Sequence, residues 1–250
     1  MRQTPAQRHR LMVLAAVAAA TGAEDPHGEP TGTAYELMKA QLYAHVRTLK
    51  NIQSVERKIE AKRTMLGDFE AYLDGVLQAD AGGQDVVVGT LLVWHIDVGN
   101  FAQALALAEY ALRHAVALPD QYQRTLPTLL LDEVSEAAIA GKLTGPDALA
   151  YLAKVDMLTQ DHDAHDQARA KLHKAIGWAC MGKTSTNDAD PKDLPPDVAG
   201  IALKHLRRAM ELNDKVGVKK DIERLERAVD QIKKADSTPN DGGPDKGASA

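Results

Sequence analysis

GWACMGKT, residues 177–184, decides the fold class of this 250-residue chain. The stretch matches the phosphate-loop pattern G-x-x-x-x-G-K-[ST], which in nucleotide-binding proteins follows a buried strand and opens a helix. Here the preceding residues, DQARAKLHKAI (166–176), have the periodicity of a charged amphipathic helix, and the following STNDADPKDLPPD (185–197) contains three prolines. A segment this rich in prolines and turn-forming residues cannot form the helix that should follow a phosphate loop. The sequence therefore predicts that Gly182 ends a helix, with Lys183 near its negative end, and that the chain binds no nucleotide.

Composition favours an all-α fold. Apolar residues make up 44% of the chain but aromatic residues only 4%, so alanine and leucine must build most of the core. These are strong helix formers, and 26% of the residues are charged, as is usual for helical surfaces. The single cysteine, Cys180, excludes an internal disulfide and a cysteine-based zinc finger.

Glycine, proline and charge mark out the predicted organisation. The segment EDPHGEPTGT (24–33) reads as a linker, and Gly82-Gly83 breaks the chain again. The predicted helices after that break span 86–98, 101–116, 127–141, 146–158, 166–181, 198–214 and 218–235. The predicted segments are an N-terminal basic and apolar helix (1–23), the linker (24–33), a long basic helical segment (34–78), a central helical domain (84–182), a loop (183–197), a C-terminal helix pair (198–235) and a disordered tail (236–250).

The first 22 residues admit two interpretations. Basic residues precede the apolar run Leu11–Ala20, and small residues follow, as in a secretory signal. The same residues also form a good helix, with Thr4 as its N-cap and Pro5 in its first turn. Ten apolar residues are too few to span a membrane.

Two apolar seams predict helices that pack along a narrow stripe, as in a helical hairpin or coiled coil. Their steps of three and four residues run through 35–59 and 218–232. The positions that we predict to contact other subunits are Leu42, Leu49, Ile52, Ile59, Val218, Ile222, Leu225 and Val229. Alanines and leucines in 101–112 and 202–212 have tetratricopeptide-like spacing, which predicts antiparallel helix pairs, although no 34-residue repeat is assembled.

Positive charge is concentrated in three blocks, although the net charge is −5. Residues 1–10 contain three arginines and no acid, residues 46–66 contain six basic and two acidic residues, and residues 204–234 contain ten and six. Cations gathered on one surface can bind nucleic-acid phosphates, although charged helices can equally be solubilised faces. The scarcity of aromatic rings favours duplex DNA over single strands.

No catalytic, metal or cofactor site emerges from the remaining motifs. The segment DHDAHD (161–166) could hold a metal, but acids also gather at helix N-termini because of the helix dipole. Glu60 and Lys62 have the E-x-K spacing of nucleases, yet they lie on a basic helix without an acidic partner. Cys180 has no assignable base, and His95, His114, His173 and His205 stand singly within helices.

Six blocks together carry a family resemblance. In order, they are PAQRH (5–9), RTLK (47–50), WHIDVGNFAQALALAEYAL (94–112), DEVSEAA (132–138), ARAKLHKAIG (168–177) and GVKKDIERLER (217–227). In this order they resemble the small terminase subunits of temperate contractile-tailed phages that package DNA from cohesive ends, the M-protein type. The resemblance runs from about residue 4 to 230 and makes residues 5–21 part of the folded chain rather than a signal peptide.

The resemblance implies a DNA-packaging adaptor in the host cytoplasm. Such a subunit binds concatemeric viral DNA near the packaging site, assembles as a ring and delivers the DNA to the large ATPase subunit. Members are often labelled the endonuclease subunit, but without an acidic metal cluster we assign cutting to the holoenzyme. Relatives can carry a basic C-terminal tail, whereas residues 236–250 are neutral to acidic here. We therefore predict DNA contacts at Arg2, Arg8, His9, Arg10, Arg47, Lys50, Arg57, Lys58, Lys62 and Arg63. The alternative function is a helical protein-interaction scaffold without DNA contact.

Overall fold

The chain is helical throughout the parts that the structure describes. The computed structural model describes residues 4–23, 28–119 and 123–236, with side chains described up to residue 230. These ranges contain no strand, and none of their helices is long and apolar enough to cross a bilayer. The helices are α1 (Pro5–Gly22), α2 (Thr33–Lys50), α3 (Val55–Leu66), α4 (Glu70–Ala79), α5 (Val86–Asp97), α6 (Phe101–Arg113), α7 (Leu126–Ile139), α8 (Gly145–Thr159), α9 (Asp166–Met181), a 3₁₀ turn (Pro191–Asp193), α10 (Pro196–Leu212) and α11 (Lys219–Asp236). The all-α prediction is confirmed.

The contacts divide the described residues into two compact units. The N-terminal unit runs to Val134 and also includes Ala150–His165, while the C-terminal unit comprises Ser135–Leu149 and the residues from Asp166 onward. The predicted central domain, 84–182, therefore contributes to both units. Most of the predicted tail lies outside the described residues, as does part of the predicted linker.

The predicted long segment 34–78 is three helices rather than one continuous seam. Asn51 is the C-cap of α2. Ser54 is the N-cap of α3, and its side chain accepts a hydrogen bond from the Arg57 N–H at 3.3 Å. Serine at an N-cap satisfies a backbone donor that would otherwise be left without a partner, which favours a new helix start. The apolar spacing continues across this turn and so conceals the break.

The N-terminal unit depends on close contact between α1 and α4. Thr4 and Gln7 form a capping box at the start of α1, and Ala15, Ala18 and Ala19 are buried along the helix. A β-carbon built at Gly75 would lie 2.1 Å from the Met12 carbonyl oxygen, so the two backbones touch where α4 has no side chain. The predicted N-terminal helix is thus a packed part of the fold.

A buried carboxylate starts the most deeply buried helix of this unit. Asp85 caps α5 by accepting hydrogen bonds from the N–H groups of Val87 and Val88, and it also accepts one from the Tyr72 hydroxyl at 2.6 Å. Burial raises the pKa of Asp85 above its usual range. The run from Val86 to Asp97 is an α-helix, and every residue from Val87 to Ile96 is buried, so the prediction of a buried helix rather than a strand is confirmed.

The C-terminal unit packs α9, α10 and α11 around a shared apolar core. Its buried residues are Trp178, Met181, Ala199, Ala202, Leu206, Val218, Ile222 and Leu225. Leu206 of α10 lies against Gly177 of α9, where a β-carbon would come within 2.5 Å of the leucine side chain. The first glycine of the phosphate-loop pattern therefore serves helix packing.

The rest of that pattern ends α9, as predicted. Gly182 has a φ of +68°, and the N–H groups of Gly182 and Lys183 bond back to the carbonyls of Ala179 and Trp178. These two bonds are those of a Schellman C-cap. A phosphate loop would instead have its amides at the start of a helix.

Asp221 of α11 joins the end of α9 to the last helix. Its carboxylate accepts hydrogen bonds from the Trp178 indole N–H at 2.9 Å and from the Lys183 ammonium at 2.6 Å. Lys183 also pairs with Asp188 at 3.2 Å, and Arg224 holds Asp188 through both carboxylate oxygens. Burial opposes the charge on Lys183, but the hydrogen bonds to Asp221 and Asp188 outweigh it and raise the pKa of that lysine.

We expect Gly75→Ala to lower the free energy of unfolding by about 1–3 kcal/mol, because the added methyl overlaps the Met12 carbonyl. Gly200→Ala in α10 is the matched control, since nothing lies within 4 Å of its β-carbon position. That change should stabilise by about 0.5–1 kcal/mol through helix propensity alone. Urea unfolding of both variants measures the difference, and equal stabilisation by both would contradict the α1–α4 contact.

We expect Asp221→Leu to lower the free energy of unfolding by about 3 kcal/mol, because it leaves the buried Trp178 indole without its acceptor and leaves the Lys183 ammonium with Asp188 alone. Unfolding followed by tryptophan fluorescence measures this loss. Glu223→Leu, an exposed acid on the same helix, should change stability by no more than about 0.5 kcal/mol. Similar losses in the two variants would show that the hydrogen bonds of Asp221 do not contribute to the free energy of unfolding.

Candidate nucleic-acid interface

The predicted DNA-contacting residues fall into two groups in the structure. Arg2 lies outside the described residues. Arg8, His9 and Arg10 are exposed in the first turns of α1, where Arg8 pairs with Glu70 at 3.3 Å. The other group lies on α2 and α3.

Four cations surround the turn between α2 and α3, a region that we call the elbow (residues 47–58). Arg47 and Lys50 lie in the last turn of α2, and Arg57 and Lys58 in the first turns of α3. Three are exposed and Lys58 is partly exposed, and no side chain of the four makes an ion pair or hydrogen bond with another described residue. The elbow is therefore a cluster of available positive charge.

Helix electrostatics account for only half of this cluster. The partial negative charge at a helix C-terminus favours Arg47 and Lys50, whereas the positive N-terminus of α3 disfavours Arg57 and Lys58. Glu56 is the acid in the first turn of α3. Helix electrostatics therefore do not explain the two cations at the start of α3.

Lys62 and Arg63 are engaged within the chain, unlike the elbow residues. The Lys62 ammonium pairs with Asp97 at 2.5 Å and lies over the Trp94 ring, and only 17% of its side chain is exposed. Arg63 pairs with Glu60 and donates to the Val98 carbonyl. Both side chains join α3 to the end of α5, and their contact with DNA stays a prediction. The Glu60 and Lys62 side chains have different partners and form no nuclease-like pair.

The predicted subunit-contact positions are largely buried within the chain itself. Leu42, Leu49, Val218, Ile222 and Leu225 are buried among residues of their own unit, and Ile52, Ile59 and Val229 are partly buried. Val229 packs against the core of the C-terminal unit. The buried side chains are occupied within the chain, whereas the three partly buried ones keep some exposed surface, and the role of these positions in a subunit contact stays a prediction. The spacing correctly identified the apolar faces of these helices, but it did not predict that residues of the same chain pack against them.

The remaining candidate groups do not assemble into a reactive site within the described residues. No group of three or more metal-ligating side chains occurs there, and the segment 161–166 is largely exposed. Burial raises the pKa of the Cys180 thiol, which disfavours the reactive thiolate. Burial lowers the pKa of His95 to about 4, so this side chain is neutral near pH 7. His114 bonds Asp80 at 2.8 Å, and His173 and His205 face each other with 3.0 Å between their Nδ1 atoms.

One exposed feature was missed by the sequence analysis. Leu14 of α1 and Leu37 of α2 protrude on either side of a groove between these helices. The signal for it was present, because residues 11–22 contain no charged residue and α1 is therefore apolar on all sides. This pattern was interpreted as a possible signal sequence rather than as a surface awaiting a partner.

Comparisons with known proteins identify the family. The family model "Phage small terminase subunit" matches residues 39–167, which include the elbow. The chain is 38% identical over 227 residues to the "Terminase, endonuclease subunit" of Escherichia phage P2, covering 90% of this chain and 85% of that protein. It is 24% identical over 210 residues to the "Probable terminase, endonuclease subunit" of Haemophilus phage HP1, covering 82% of this chain and 73% of the relative. No solved structure matches. With a family model matching half of its length and a relative this similar over most of it, the chain belongs to the phage small terminase subunit family.

Proposed function

We propose that this chain binds double-stranded viral DNA at the packaging site and presents it to the large ATPase subunit of the terminase, in the host cytoplasm. The elbow carries the proposal, because four cations without partners among the described residues lie within twelve residues of sequence, inside the range that the family model matches. Phosphate contacts supply much of the affinity of proteins for DNA, and they require accessible arginine and lysine side chains.

The elbow suits a duplex better than a single strand. Single-strand binding proteins stack bases on several aromatic rings. Among the described residues, Tyr43 is the large aromatic side chain with substantial exposure, and it lies on α2 before the basic cluster. One ring cannot form a stacking platform, whereas four cations can bind successive phosphates of a duplex.

Both relatives carry names that contain "endonuclease subunit", and we propose that cutting is a property of the assembled terminase. Nucleases that cleave by metal-assisted hydrolysis need carboxylates gathered around one or two cations. The described residues contain no such gathering. In this proposal the chain selects and positions the DNA while the large subunit supplies the chemistry.

We expect the elbow variant, with Arg47, Lys50, Arg57 and Lys58 all changed to alanine, to bind duplex DNA more weakly and to reduce the slope of log K against log[salt] by about 3–4. Each phosphate contact contributes about 0.9 to that slope through counterion release. Fluorescence anisotropy with a labelled duplex, repeated over a series of salt concentrations, measures both quantities.

The control is a second variant with the same change in net charge, in which Lys204, Arg207, Arg208 and Lys215 of the C-terminal unit are changed to alanine. These four side chains are exposed on or just after α10, away from the elbow in sequence. An equal loss in both variants would mean that overall charge rather than the elbow attracts DNA. A wild-type chain whose binding is absent or insensitive to salt would favour the alternative, a protein-interaction scaffold.

A further inference from the structure

The outer face of α1 is apolar and uncovered. Its buried residues are Leu11, Ala15, Ala18, Ala19 and Gly22, all on one side of the helix. On the other sides Val13 and Val17 are exposed, Val17 by 59%, and no charged residue occurs between Leu11 and Gly22. A helix that is apolar all round is normally covered all round, so this face needs a partner.

A groove between α1 and α2 adjoins this face. Leu11 and Met38 form its floor, and the exposed side chains of Leu14 and Leu37 protrude beside it, Leu37 by 58%. The groove encloses about 730 Å³, which is ample for two large apolar side chains. Among the described residues of its lining, Arg10 is the charged one and none is an acid. The groove therefore suits an apolar ridge with an acidic border.

Helix α8 of the same chain carries such a ridge. Leu149, Ala153 and Met157 are exposed at intervals of four residues, Met157 by 52%, and span about 12 Å of the helix. At 100° per residue, Asp156 borders this stripe, 20° from Leu149, whereas Asp147 lies on the side of the helix opposite Leu149. On the other border, Lys154 is engaged by Glu109 at 2.6 Å. The stripe is thus apolar along its crest and has an acid, Asp156, at one border.

We propose that the α8 ridge of one copy of this chain inserts into the α1–α2 groove of the next copy, with an acidic border of the ridge near Arg10. Two features favour a second copy as the occupant: the ridge and groove match in polarity, and their charges are opposite. A helix ridge seated between two helices is a common recognition mode. Because the two surfaces differ, the contact is head-to-tail and repeats from copy to copy until a ring closes.

This inference deepens the proposed function by placing its subunit contact, but it stands on surfaces separate from the elbow. The seams at 35–59 and 218–232 were predicted to join subunits, and most of their described apolar positions are buried within the chain. The ridge and the groove provide exposed residues for the same task. DNA binding by the elbow and assembly through α8 can therefore be tested independently.

The test uses two full-length variants and their mixture, weighed by native mass spectrometry. The groove variant carries Leu14→Asp and Leu37→Asp, and the ridge variant carries Leu149→Asp and Met157→Asp. We expect the wild type to form a closed multimer and each variant to be monomeric, because aspartate in an apolar contact must lose its hydration. The mixture should form a dimer with one copy of each variant and nothing larger, since one intact groove then meets one intact ridge.

The matched control carries Ile201→Asp and Met210→Asp, two exposed apolar residues of α10 that lie outside the ridge, the groove and the elbow, and should assemble like the wild type. All substituted side chains are exposed, so circular dichroism and thermal unfolding should show folded chains. A wild-type monomer, a ridge variant that still assembles, or a mixture that stays monomeric would each overturn the proposal. Anisotropy on the same samples separates the two ideas: a multimer that fails to bind DNA contradicts only the proposed function, and monomers that bind DNA contradict only the assembly.

Discussion

The lack of a β-carbon at Gly75 and at Gly177 is the constraint on which the packing of both units depends. At two helix crossings glycine lets the helices come close together, while the few aromatic residues fill other parts of the core. At Gly75 the backbone of α4 meets the Met12 carbonyl, and at Gly177 the surface of α9 admits Leu206. Close approach increases the number of dispersion contacts per residue, which compensates for the small side chains at these crossings. On the far side of α1, Val13 and Val17 remain exposed among the described residues.

The residues that match the phosphate-loop pattern have structural roles in the fold. Its first glycine admits a neighbouring helix, its second ends α9 with a positive φ, and its tryptophan and lysine converge on Asp221. The flanking sequence was sufficient to predict the helix end, because capping and proline effects act within a few residues. The Asp221 partner could not be predicted, since it lies 38 residues from Lys183 and only the packing of α11 on α9 brings them together.

The difference between local and tertiary effects also explains which features of the candidate interface could be predicted. Most helix positions and the cap at Thr4 followed from the sequence, because each depends on neighbouring residues. The break at residues 51–54 did not, because the apolar period runs through it unchanged. Lys62 and Arg63 look equivalent to Arg57 and Lys58 in sequence, yet partners 35 residues away engage the first pair. Apolar spacing likewise reveals which face of a helix is buried. It cannot tell whether that face packs within the chain or against another subunit, because both contacts require the same spacing.

Helix α2 relates the two proposed activities to each other. Its N-terminal half supplies Leu37 to the groove, and its C-terminus supplies Arg47 and Lys50 to the elbow, about 20 Å further along at 1.5 Å per residue. A contact at one end therefore leaves the other end free for DNA. In a head-to-tail ring every copy would present its elbow at an equivalent position, so weak phosphate contacts would add along one DNA molecule. Summed contacts of this kind would release many counterions at once, so a ring would bind DNA more tightly and with a steeper salt dependence than a monomer whose single elbow still binds. Such an adaptor would add assembly to the affinity that each elbow already has.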